Sequence, residues 1–216
     1  MPLKAKYFNP FKITRKVFLA VVSRLPAFRF LRETIGTQTP ITFGNWWNQK
    51  VMGYAPGAYW PVSKYSSVSG PQNIYAGIEV SPGLMPGCYI QAYHGKIYIG
   101  DYTQIAPNVG IISANHALTD NRQHVATTVR IGNYCWIGFG AVILPGVELG
   151  EYTIVGANAV VTKSFPEGYC VIAGNPARVV KTLDPSECVK HKSKHEYNGF
   201  IPAHKFEAYR KKYLNV

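Results

Sequence analysis

Acidic residues and cysteines are scarce in this chain, and it has no long apolar run. Of its 216 residues only 11 are Asp or Glu, against 23 Lys or Arg, and charged residues of both signs make up 16%. So low a charge content excludes a disordered, solvated chain and fits a regular, well-buried scaffold. The four cysteines, Cys88, Cys135, Cys170 and Cys188, are too scattered for a disulfide-dense secreted fold, and no C-x-x-C pair occurs. That argues against a zinc or thioredoxin-type motif and predicts a reducing, cytoplasmic setting. The longest apolar run near the start, residues 17–22, falls far short of the ~20 residues a membrane span needs. Arg24 and Arg29 follow it without a clear small-residue cleavage pattern, so it reads poorly as a signal peptide.

The net charge of +12 belongs to the ends. Residues 1–36 carry eight Lys or Arg and one acid, and residues 181–216 carry eight and four. The stretch between them carries seven and six. A body this evenly charged offers no nucleic-acid face, and the ends show none of the usual nucleic-acid signatures. The basic ends could instead meet anionic lipid or another chain.

What the sequence does have is repetition. From Ile131 a large aliphatic recurs every six residues: Ile131, Ile137, Ile143, Leu149, Val155 and Val161. Glycine follows four of them, at Gly132, Gly138, Gly150 and Gly156. The residue four after each is mostly small, as at Cys135, Ala141 and Ala159. The same frame appears earlier at Ile99, Ile105 and Ile111. A helix cannot keep a six-residue period on one face, because six residues turn it by ~600°. A flat alternating strand would repeat every two. A period of six fits a chain that turns a corner every six residues and closes a triangular coil in about eighteen. Stacking such coils sets Ile131 against Leu149, Ile137 against Val155 and Ile143 against Val161. The corners call for small or permissive residues, and the abundance of Gly (20), Pro (15) and Tyr (15) suits many short strands and tight turns.

Around this frame the chain divides into three parts. Residues 1–73 read as an N-terminal extension: amphipathic and helical over 1–35, where Phe8, Phe11, Phe18, Val22 and Leu25 alternate with Lys12, Arg15, Lys16 and Arg24, then irregular. Residues 74–181 hold the coil, with an irregular first turn in which Ile74, Ile78, Ile90 and Ile97 point inward. Residues 182–216 form a basic extension, helical around Phe206–Arg210. Residues 117–130 lack the aliphatic frame and read as a loop thrown out of one corner, and long loops on rigid scaffolds often carry function.

Taken in order, the repeat from Ile131 to Val161, Asn115-His116 before the loop, Cys135-Trp136-Ile137-Gly138, Ile143-Leu144-Pro145-Gly146 and Gly174-Asn175-Pro176-Ala177-Arg178 resemble the hexapeptide-repeat acetyltransferases. That family includes galactoside, maltose, xenobiotic and capsular-polysaccharide O-acetyltransferases. The resemblance covers roughly residues 74–181. It implies an all-β fold, a left-handed parallel β-helix with an excursion loop and helical extensions. It also implies a homotrimer with the active site in a cleft between neighbouring coils, and acetyl-coenzyme A as co-substrate with no metal.

His116 is the candidate base. An imidazole with an ordinary pKa near 6.5 is largely neutral at pH 7 and can accept the proton of an acceptor hydroxyl. Asn115 would orient His116 or the acceptor. The resemblance carries coenzyme A binding onto Ala157, Thr162 and Lys163 along the groove, and onto Arg178 and Lys181 at the nucleotide phosphates, where a guanidinium can bind in a fork. Phe139 takes a contact position where relatives often have a small residue, so any contact there runs through backbone. Trp136, outward by the period, could line the acceptor cleft or pack on a neighbouring subunit. Tyr93 and His94 are acceptor-side candidates, and His124 is a further loop histidine. Cys135 falls in a small inward slot and reads as core, which implies direct transfer without an acyl-enzyme.

The expected reaction is acetyl transfer to a hydroxyl of a sugar or polysaccharide precursor. The alternatives are N-acetylation of an amino sugar and a xenobiotic acetyltransferase. A zinc protein of the γ-carbonic-anhydrase type fits less well, because His116 and His124 are eight apart and residue 121 is Asn rather than His. A non-catalytic basic binding module is the remaining class. The aromatic, basic N-terminal segment could lie on the cytoplasmic membrane surface or dock on the β-helix.

Overall fold

The six-residue period folds as a parallel coil with three flat sides. The computed structural model describes residues 18–216. The first side stacks Ser67–Ser69, Tyr89–Gln91, Gly110–Ile112, Val142–Ile143 and Val160–Val161. The second stacks Ile74–Ala76, Lys96–Ile99, Thr128–Ile131 and Glu148–Leu149, with Phe165 bridged to Leu149 above them. The third stacks Gln104–Ile105, Trp136–Ile137, Thr153–Val155 and Cys170–Gly174, and is closed by the antiparallel strand Ala177–Thr182.

The registers are those the period requires. Ile131 pairs with Leu149, Ile137 with Val155 and Ile143 with Val161. One coil below, Ile99, Ile105 and Ile111 pair with Ile131, Ile137 and Ile143. These aliphatics, Ile105 only partly buried among them, form a continuous column together with the small slots Cys135, Ala141 and Ala159. Full burial of one such side chain stabilises by roughly 1.5–3 kcal/mol, so the column dominates the energetics of the coil. The glycines after the aliphatics have a steric cause: a Cβ on Gly132 would lie 2.6 Å from the backbone nitrogen of Glu151 in the next coil.

Three local expectations are corrected. Ile78 is only half-buried, because its N–H caps the Asp101 carboxylate at a corner (2.8 Å) and Val80 turns inward in its place. The excursion ends sooner than residue 130: Thr128–Ile131 is already a strand, with Val129 fully buried opposite Ile97. And one row of corners is built from large residues. Tyr102, Tyr134, Tyr152 and Tyr169 take left-handed backbone conformations, φ 59°, 54°, 54° and 44°, and their rings stack at 5.3, 5.2 and 5.5 Å. A left-handed non-glycine residue costs about 1–2 kcal/mol, and each stacked pair returns roughly 0.5–1.5 kcal/mol.

The chain after Thr182 runs back down this tyrosine ladder. The Tyr134 hydroxyl donates to the His191 carbonyl oxygen (2.9 Å), and Tyr102 donates to Glu196 (2.7 Å). Helix Ala203–Tyr213 then seats Phe206 against Tyr59 and Tyr75 beneath the first coil. At this end lie the described N-terminal elements: residues 18–22, Phe30–Glu33 and Phe43–Lys50, all helical. Thr42 and Asn45 cap the last of these reciprocally. Phe30, Ile41 and Tyr197 form a separate small core. Phe8, Phe11, Lys12, Arg15 and Lys16 lie outside the described residues.

Candidate active site

His116 stands where the chain leaves the corner between the first and second sides. The excursion there is a hairpin: Ala114–His116 pairs antiparallel with His124–Ala126, and His116 lies directly across from His124. The ladder continues from the Ala117 N–H to the Gln123 carbonyl oxygen (2.9 Å). The turn is tied by Arg122, which donates to both oxygens of Asp120 at 2.8 and 3.0 Å. This exposed pair contributes little to stability, but it ties the two ends of the turn together.

That turn sets the imidazole. Nδ1 of His116 contacts the backbone carbonyl oxygen of Asn121. A carbonyl can only accept, so Nδ1 carries the hydrogen and the lone pair of the neutral ring is on Nε2. His116 is exposed. Asn115 is exposed beside it and pairs with Val125.

Tyr93 and His94 come to the same corner from the coil below. The His94 ring stacks on His124 at 4.3 Å, and His124 lies 4.5 Å from the ring of His116. Tyr93 meets His94 edge-on at 4.8 Å. Gly95 makes the approach possible, since a Cβ there would run into the carbonyl oxygens of Thr127 and Ser113. Burial first, and then the imidazoles of His94 and His116, hold the pKa of His124 below the usual histidine value. Among the described residues no group of three His, Cys, Asp or Glu side chains is arranged to hold a metal ion.

The remaining candidates fall on two corners and one face. Thr162 and Lys163 are exposed at the His116 corner, two coils up. Phe139 and Ala157 are exposed at the corner between the third and first sides, where the Asn158 N–H donates to the Phe139 carbonyl oxygen (2.7 Å). Arg178 sits just above them in the terminal hairpin, and Lys181 is exposed further along the same strand. Trp136 does not join His116 within one chain. It projects from the third side, 57% exposed, into a groove of about 570 Å³ shared with Gln104, Tyr102, Tyr134, Tyr152 and His191. Cys135 points the other way, into the core, and burial pushes its thiol up to about 12, which leaves no thiolate at neutral pH.

Sequence reasoning found each histidine of the corner but not their stacking. The available signal was the hairpin itself, since a turn centred on Asp120 brings residues 116 and 124 face to face.

Residues 128–163 match the family described as bacterial transferase hexapeptide, six repeats. The resemblance read from the sequence therefore holds on its repeat, and the coil is a left-handed parallel β-helix. Nodulation protein L of Rhizobium meliloti (strain 1021) is 49% identical over 57 residues, which cover 24% of this chain and 31% of that protein. The chain thus matches less than a third of that relative's length. Among solved structures, a galactoside acetyltransferase in complex with coenzyme A is 27% identical over 62% of this chain and 70% of its own, with a TM-score of 0.49. A maltose O-acetyltransferase from Clostridium difficile 630 is 24% identical over 82% and 90%, with a TM-score of 0.48.

Proposed function

We propose that this chain is an acetyl-coenzyme A-dependent O-acetyltransferase acting on a hydroxyl of a sugar or polysaccharide precursor, with His116 as general base. The observation that carries this reading is the contact of His116 Nδ1 with the Asn121 carbonyl oxygen, which leaves Nε2 free to accept a proton. The hexapeptide repeat of residues 128–163 supports the reaction class. The acceptor O–H gives its proton to Nε2 as its oxygen attacks the thioester carbonyl carbon. The tetrahedral oxyanion collapses, the C–S bond breaks, and the imidazolium returns the proton to the departing thiolate. Acetyl ester and free coenzyme A result. Asn115 orients the acceptor or the imidazole, and Tyr93 and His94 border the acceptor side.

The exposed groups Thr162, Lys163, Ala157 and Phe139 are suited to line a groove for the pantetheine arm, Phe139 through its backbone. Arg178 and Lys181 supply cations for the phosphates. Because Trp136 and Phe139 are apolar and half-exposed, and Trp136 is remote from His116 within the chain, we assign the functional unit as a homotrimer in which a neighbouring copy brings Trp136 to the site. The N-terminal elements expose Phe18, Val21 and Leu25 beside Arg24 and Arg29, a pattern suited to peripheral contact with an anionic cytoplasmic membrane.

The test is release of free thiol from acetyl-coenzyme A across neutral sugars, glycans and amino sugars. Acceptor-dependent release with a hydroxyl substrate is expected. Release with amino sugars alone would replace O- by N-acetylation, and failure to bind coenzyme A would remove the reading. Flotation with anionic vesicles checks the membrane contact: protein that stays at the bottom of the gradient contradicts it.

A further inference from the structure

The three histidines at the corner form a column, and its middle member has no part in the reaction just described. His124 lies between His94, 4.3 Å away with ring planes 23° apart, and His116, 4.5 Å away with planes 44° apart. His116 is otherwise held at one point, Nδ1 against the Asn121 carbonyl oxygen. A single contact at one ring nitrogen leaves the imidazole free to swing about that point. The tilted ring of His124, packed 4.5 Å from it, restricts that freedom. The column crosses between elements: His116 and His124 belong to the hairpin, whereas His94 belongs to the coil below. The rings therefore join a hairpin whose tip is exposed on both strands to the closely packed corner at Gly95.

From this geometry we propose that His124 is a positioning residue for His116: clamped by His94, it presents a flat face that fixes the plane of the His116 imidazole and aims Nε2 at the acceptor. The inference rests on the base role of His116 given above. Its chemistry needs the flat face of His124 and no proton transfer by that ring. The lowered pKa of His124 fits the role, because it disfavours a like charge beside the imidazolium formed in the reaction. Phenylalanine should then replace His124 where alanine cannot.

The experiment is steady-state kinetics on four full-length proteins: wild type, H124A, H124F and H116A. H124A should lose ~10-fold or more in kcat with the KM for acetyl-coenzyme A unchanged, as expected when a group acting only through the transition state is disturbed. H124F should recover to within about threefold of wild type. Wild-type kcat in H124A, or equal losses in H124A and H124F, would overturn the positioning role while leaving His116 as base. Full activity in H116A would overturn the base reading itself, and the positioning role with it. If H124A does not fold by its thermal transition, H94A with H94F applies the same comparison to the clamp: an H94A enzyme as fast as wild type contradicts the column.

Discussion

In the proposed mechanism His116 owes its tautomer to one neighbouring atom, the Asn121 carbonyl oxygen, and Cys135 owes its inertness to the core around it. The two make opposite predictions. A thiol raised to about 12 supplies no nucleophile, so C135A should retain acetyl transfer within a few-fold, with a stability loss of ~1 kcal/mol from the removed sulfur. Loss of all transfer by folded C135A, together with acyl-enzyme seen by mass spectrometry of the wild type, would replace direct transfer with a covalent route. At the same scale, G132A should destabilise by ~2 kcal/mol or more in denaturant titration, because its Cβ would press on the Glu151 nitrogen and the corner cannot yield without separating two coils.

Among the elements, the coil was the most legible part. Six-residue spacing carries the stacking of Ile131, Ile137 and Ile143 on Leu149, Val155 and Val161 because each pairing repeats one local geometry. Where the chain departs from that geometry the spacing loses its meaning. Val129 rejoins the second side after the hairpin, out of frame, and Ile78 yields its inward place to Val80 because Asp101 takes its N–H. The tyrosine ladder was hidden for another reason: a left-handed tyrosine is unfavourable alone and gains its stability from rings in other coils and from residues 188–196. The His94–His124–His116 column is hidden in the same way, as His94 is remote in sequence and brought near by stacking. Replacing Tyr134 by Phe removes the bond to His191 and should cost about 1 kcal/mol, whereas Ala also removes two stacked rings and should cost roughly 2–4 kcal/mol in equilibrium unfolding. Equal effects of the two would mean that the stack contributes nothing.

For the whole molecule, the helix Phe30–Glu33 and the segment around Tyr197 close on one another. Glu33 accepts from the Tyr197 hydroxyl and pairs with Arg29, joining an N-terminal helix to the C-terminal segment. The Tyr197 hydroxyl, opposed by burial and aided by Arg29, holds the Glu33 carboxyl below its ordinary value of 4.5. Its contribution is complete above that value and is lost as the pH falls through the lower folded-state value. E33Q should therefore flatten the acid side of the stability curve below about pH 4.5; an unchanged acid limb in E33Q would show that the junction does not couple to proton binding. The assembly is equally testable: sedimentation should give the mass of three chains, and W136A should weaken the trimer or raise KM without altering the fold.

The central claim is that His116 takes the acceptor's proton, and the measurement that tests it most directly is the rate of acetyl transfer by H116A beside the wild type, with acetyl-coenzyme A and an acceptor saturating. A fall in kcat of ~10²-fold or more, with coenzyme A still bound and the melting temperature kept, is the predicted result. Transfer at the wild-type rate would contradict the account.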